Sequence, residues 1–137
     1  MSDTPVTQTL QHVDQYLLIG RILLVLLFLQ SGITKSTRFQ EGLGEVRAKK
    51  IPFAHLALLG TIVLQLAGSA LLIAGWFTTP VAALMALFTL ATAVVFYDFW
   101  SVKGEARAAA LNGFFEHISI IGGFLILMAA GPGRFVL

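Results

Sequence analysis

AHLALLGTIVLQLAGSALLIAGWFTTPVAALMALFTLATAVVFYDF, residues 54–99, holds a single charged side chain, Asp98, and a single proline, Pro80. An apolar run of roughly 20 residues is long enough to cross the hydrocarbon core of a bilayer as a helix. The stretch therefore reads as two spans, 54–76 and 80–99. They are joined at FTTP, where Pro80 suits the first turn of a new helix. Outward from this pair, residues 16–36 and 112–130 read as a span before it and a span after it. The 16–36 segment is apolar except for Arg21, Gln30 and Lys35.

The composition agrees. The chain is 57% hydrophobic and 12% charged over 137 residues, whereas soluble chains run at about 45–50% apolar and about 25% charged. Too little charge is present to wet a small globule. The expected fold is all-α, a transmembrane four-helix up-down bundle, with residues 1–137 forming one membrane domain. The first fifteen residues lack the basic region of a signal peptide and read as a short tail or interfacial turn. Residues 37–53, with four basic and two acidic side chains, read as a loop or an interfacial amphipathic segment. Residues 100–111 read as the second polar loop, and Gly131 and Pro132 stop the last span.

Lys35, Arg38, Arg47, Lys49, Lys50, Lys103 and Arg107 fall on the loop side, against Arg21 and Arg134 on the side of the termini. The positive-inside rule then puts both loops in the cytoplasm and both termini outside. The same distribution identifies the basic residues as topology signals, and no nucleic-acid partner is expected. There is no cysteine, which excludes thiolate chemistry, disulfide exchange and cysteine-held clusters. A redox role would need a bound cofactor or a partner protein.

At about 1.5 Å per residue the up-down order also sorts polar residues by depth. Lys35, His55, Asp98, Asn112, Glu116 and His117 all fall near the loop-side face, with Trp100 beside them. They form a candidate polar layer in which Lys35 can pair with Asp98 or Glu116. Arg21, Gln30 and Gln65 lie deeper, and such groups usually face a bundle interior. Arg21, Phe28 and Lys35 share one helical face, and Gln30 lies on another. The second face of that helix is then free for a lipid headgroup, a second copy or another subunit. Gly60, Gly68, Gly75, Gly122 and Gly123 offer small surfaces for close helix packing.

The ordered pieces G-R (Gly20, Arg21), S-G-x-x-K (Ser31 to Lys35), I-P (Ile51, Pro52), G-W-F-T-x-P (Gly75 to Pro80), D-F-W (Asp98 to Trp100) and G-P-G-R (Gly131 to Arg134) resemble the DoxX family of small bacterial membrane proteins. The resemblance runs from about Gly20 to Phe135. It implies a four-helix membrane protein and a role as a small subunit or accessory of a redox complex, linked in some relatives to quinone-coupled sulfur oxidation or thiol stress. Family members often carry Glu at the position of Gln65, and an amide there does not carry a proton.

A quinone-like ligand needs an apolar slot with a few polar groups. Lys35, His55 and His117 are candidate donors, Asp98 and Glu116 candidate acceptors, and Phe96, Tyr97, Trp100, Phe114 and Phe115 candidate walls. His55 and His117 lie too near the interface for a bis-histidine haem, so no metal is expected. The absence of a nucleophile–base pair or a phosphate-binding glycine loop leaves a scaffold or assembly subunit as the competing class. A small-solute transporter or channel is the third reading, weakened by spans that look continuous.

Overall fold

The computed structural model describes residues 4–137. Five α-helices follow in order: α1 (Pro5–Thr37), α2 (Phe39–Ala48), α3 (Ala54–Ala74), α4 (Thr78–Phe96) and α5 (Glu105–Ala130). A single 3-10 turn, Phe99–Ser101, lies between α4 and α5. No strand occurs among the described residues. All helices except α2 contain a stretch long and apolar enough to cross a membrane.

Helix boundaries depart from the sequence reading where the backbone finds good ends elsewhere. The polar tail is not a turn from residue 5 onward: α1 starts at Pro5, whose fixed φ and missing N–H suit a first helical position. Its first three residues lie outside the described region. The 100–111 loop is helical from Glu105, because Glu-Ala-Arg-Ala-Ala-Ala is strongly helix-forming and begins with an acid at the positive end of the helix dipole. Residues 39–48 form α2, which turns Gly42, Leu43 and Val46 inward and leaves Glu41, Glu45 and Arg47 exposed.

α1 packs mainly on α3 and α4 mainly on α5. The two pairs join along α3 and α4, and α1 touches α5 only lightly. Leu56, Leu59, Val63, Leu84, Leu87, Leu125 and Ile126 face outward. A soluble protein would hide such a belt, and here it meets lipid.

The two ends of the bundle differ. The half nearer the termini is a packed apolar core of Val25, Phe28, Leu72, Ala82, Met85, Phe124 and Leu127, with the Phe28 and Phe124 rings 5.5 Å apart. A Cβ on Gly68 would lie 2.8 Å from Met85 Sδ, so the backbone of α3 presses directly on that sulfur. Beyond this core the tail, residues 131–137, folds across the end. Arg21, 2% exposed, donates to Ile73 O at 3.1 and 3.3 Å and also to Pro132 O and Phe135 O. Leu137 N donates to Ala74 O at 2.9 Å, Trp76 Nε1 to Leu137 O at 2.7 Å and Arg134 N to Asp14 Oδ1 at 3.2 Å. The G-R and G-P-G-R pieces of the sequence therefore meet, 111 residues apart along the chain.

Candidate functional site

The loop-side half of the bundle is hollow. A cavity of about 230 Å³ lies among α1, α3, α4 and α5, roofed by Gly42, Glu45 and Val46 of α2. On α3 it reaches from Ala57 to Gln65, about 12 Å at the α-helical rise. Its walls are mostly apolar, formed by Leu27, Phe28, Leu58, Phe88 and Phe96.

Charge is confined to the mouth. Lys35 Nζ donates to Ser31 Oγ at 2.5 Å, and Glu45 is close enough to act on Lys35 electrostatically. Gln65, from the middle of α3, is 5% exposed. Its Oε1 is buried with no hydrogen-bond partner, and of the residues with such an oxygen among those described Gln65 alone lines the cavity. An unmet amide oxygen is costly in a nonpolar setting, so Gln65 is a strained polar position beside the inner end of the cavity. Thr61, Thr89 and Thr92 add hydroxyls to the wall.

Tyr97 and His117 close the side next to α5. A Cβ on Gly113 would sit 2.1 Å from Tyr97 Cδ1, so only glycine lets that ring lie against α5. The ring then rests on His117 with centroids 4.6 Å apart. His117 Nδ1–H donates to Gly113 O at 2.8 Å.

The structure divides the sequence-derived layer. Lys35, His117 and the deeper Gln65 share the cavity. Asp98 does not reach Lys35 but pairs with Lys49 at 3.0 Å, because α2 folds back over the mouth and brings Lys49 nearer. His55 is exposed with its ring 6.2 Å from that of Phe39. Asn112 and Glu116 are exposed and line a shallow groove on the outer face of α5 with Phe115, Ser119 and Ile120. Of the expected aromatic walls, Phe96 and Tyr97 line the cavity. Trp100 and Phe114 instead stack edge to face with Phe99, at 5.2 and 5.4 Å, and Phe115 packs on Phe114 at 5.7 Å.

Arg21 is buried at the opposite end. Gln30 is exposed and donates to Thr34 Oγ1 at 3.0 Å, on a face of α1 away from Arg21 and Phe28. Among the small surfaces, Gly68, Gly75 and Gly123 make close approaches, whereas Gly60 and Gly122 meet nothing. Sequence reasoning missed Ser31, Glu45 and the three threonines. The only sequence signal was the recurrence of Thr89 and Thr92 on one side of an otherwise apolar helix. Among the described residues no group of three or more histidine, acidic or cysteine side chains could hold a metal ion.

The family model of DoxX matches residues 16–98, which run from early α1 to the end of α4. The chain is 34% identical to the inner membrane protein YphA of Escherichia coli K12 over 117 residues, 85% of this chain and 84% of the relative. It is 32% identical over 122 residues to the inner membrane protein YqjF of the same organism, covering 89% and 88% of the two chains. No solved structure matches significantly.

Proposed function

The chain belongs to the DoxX family, and from that premise we propose that it is an inner-membrane subunit of a redox complex that holds a quinone-type ring in the loop-side cavity. The observation that carries this reading is the cavity itself: mostly apolar, about 230 Å³, with the Gln65 side chain at its inner end. Small-molecule sites usually occupy about 300–1,000 Å³, so this one suits a single ring rather than a larger ligand. Leu27 lines the cavity and is also 47% exposed on the outside of the bundle. α1 touches α5 only lightly, and that seam is the proposed passage for an apolar tail into lipid. Lys35 and Tyr97 supply donors at the mouth.

Asn112, Glu116 and Ser119 supply the contact with a partner subunit. A carboxylate on the outward face of a spanning helix is expensive unless another polar surface covers it. The distribution of lysine and arginine supports loops in the cytoplasm and termini outside. The packed core and folded-back tail at the other end disfavour a through-channel.

The test is to purify the full chain in mild detergent and identify co-purifying lipids and proteins by extraction and mass spectrometry. A quinone present in about equal amount with the protein, and lost on substituting Thr61→Leu, is the expected result. A stoichiometric protein with no extractable quinone would replace this reading with the scaffold class.

A further inference from the structure

We infer that the mouth of the cavity takes an anionic oxygen, so that among quinone-type rings of one shape the site holds an acidic, ionised one in preference to a neutral one. The inference rests on the ligand reading above and specifies the charge of the bound molecule, with Lys35 as the residue that selects it.

Lys35 is the only lysine or arginine among the described residues that line the cavity. A lysine near the end of a spanning helix ordinarily runs its chain outward, so that the ammonium reaches water. This one turns inward. Lys35 Nζ donates to Ser31 Oγ, and Ser31 lies about 6 Å deeper along α1 at the helical rise. Both residues line the cavity, so the charge is aimed into the hollow and away from the loop-side face.

That charge has no contact of opposite sign. Asp98 is taken by Lys49, and among the described residues Lys35 makes no ion pair. Glu45 lines the same mouth and acts on Lys35 across a gap. It is exposed, and water screens the attraction. An ammonium drawn in among apolar walls gains more from an anionic oxygen in direct contact than from a screened carboxylate at a distance.

The remaining donors suit an oxygen that only accepts. Thr61 Oγ1 donates to Ala57 O, Thr89 Oγ1 to Met85 O and Thr92 Oγ1 to Phe88 O. A hydroxyl has one proton, so these three have none left to give. Of the Gln65 amide, Oε1 is sealed away and the donor Nε2 is the atom left open. An ionised hydroxyquinone carries acceptors alone, a charged oxygen for Lys35 at the mouth and a ring carbonyl for Gln65 Nε2 within.

The experiment measures equilibrium binding of three probes to the full chain in detergent at neutral pH. They are a short-tailed 2-hydroxy-1,4-benzoquinone, ionised under these conditions, its methyl ether, which keeps the ring and has no charge, and a benzoate with the same tail. The hydroxyquinone is expected to bind about tenfold more tightly than the ether, the weight of one charge-assisted hydrogen bond. Lys35→Met should level the two and leave the affinity of the ether as it was, which also reports an intact fold. Glu45→Gln removes a like charge from an exposed position and should tighten the hydroxyquinone alone. Equal binding of hydroxyquinone and ether by the unaltered chain would overturn the charge preference and leave the ring reading standing. A preference that survives Lys35→Met would overturn the assignment to Lys35. Binding of the benzoate alone would keep the anion at Lys35 and overturn the quinone reading, and failure of all three would overturn both. The unaltered chain and Glu45→Gln decide the matter even if Lys35→Met does not fold.

Discussion

Lys49 Nζ lies 3.0 Å from Asp98 Oδ1, so the residue that ends α2 is tied to the short segment that follows α4, across the mouth of the cavity. Both side chains are partly exposed, at 32% and 24%, and solvent screens such a pair so that it contributes little. Lys49→Met or Asp98→Asn is expected to leave the four long helices intact. Amide hydrogen exchange over residues 39–48 should accelerate modestly, by no more than about fivefold. The double exchange Lys49→Asp with Asp98→Lys should restore most of the protection. Unchanged exchange in the single variants would show that α2 is held by Leu43 and Val46 alone.

Gly113 and Tyr97 are expected to be strongly coupled. Gly113→Ala drives a methyl group into the tyrosine ring, and overpacking of this kind costs about 1–3 kcal/mol. The thermal midpoint in detergent should fall, and Tyr97→Leu in the same chain should recover much of the loss. Additive effects of the two substitutions would refute a direct steric coupling.

Arg21 is expected to hold the tail in place. Arg21→Leu leaves the part-buried carbonyls of Ile73, Pro132 and Phe135 without their shared donor, and an acceptor left unmet costs up to about 1–3 kcal/mol when fully buried and less where solvent reaches it. Exchange of the Leu137 amide, now bonded to Ala74 O, should rise sharply. Arg21→Lys should rescue only in part, since one ammonium lacks the planar fork that reaches all three. Full rescue by lysine would show that charge, and not geometry, fixes the tail.

Sidedness is open to a direct measurement because the chain has no cysteine of its own. With Lys103→Cys and Thr79→Cys introduced separately, a thiol reagent that does not cross membranes should label only Thr79→Cys from outside intact cells. Thr79 is exposed at the start of α4, at the opposite end of the bundle from Lys103. Labelling of Lys103→Cys alone would invert the proposed orientation.

The number and order of the long helices were legible because each is a run of apolar residues of spanning length. What each helix turns inward was much less so. In lipid the outer face is as apolar as the inner one, and periodicity then carries little information. Only polar residues mark faces, as Arg21 and Lys35 did for α1, whose shared side includes the buried Phe28. Gln30 was rightly separated from them, yet it satisfies itself through Thr34 rather than a neighbour. The Lys35–Asp98 pairing was not formed because it required knowing where α2 lies. A ten-residue helix with one apolar ridge can be placed only by its contacts with Leu58 and Ile62. The cavity was invisible for a similar reason, since threonines bonded to their own helix look like ordinary packing residues.

The tail and the packed core beneath it make the hollow a blind alley. A molecule that enters past Lys35 or beside Leu27 must leave by the same openings. Occupancy is then governed by one compartment and one leaflet, and a gradient across the membrane does no work on the bound molecule. An inhibitor shaped to the mouth would trap an occupant as readily as it would exclude one.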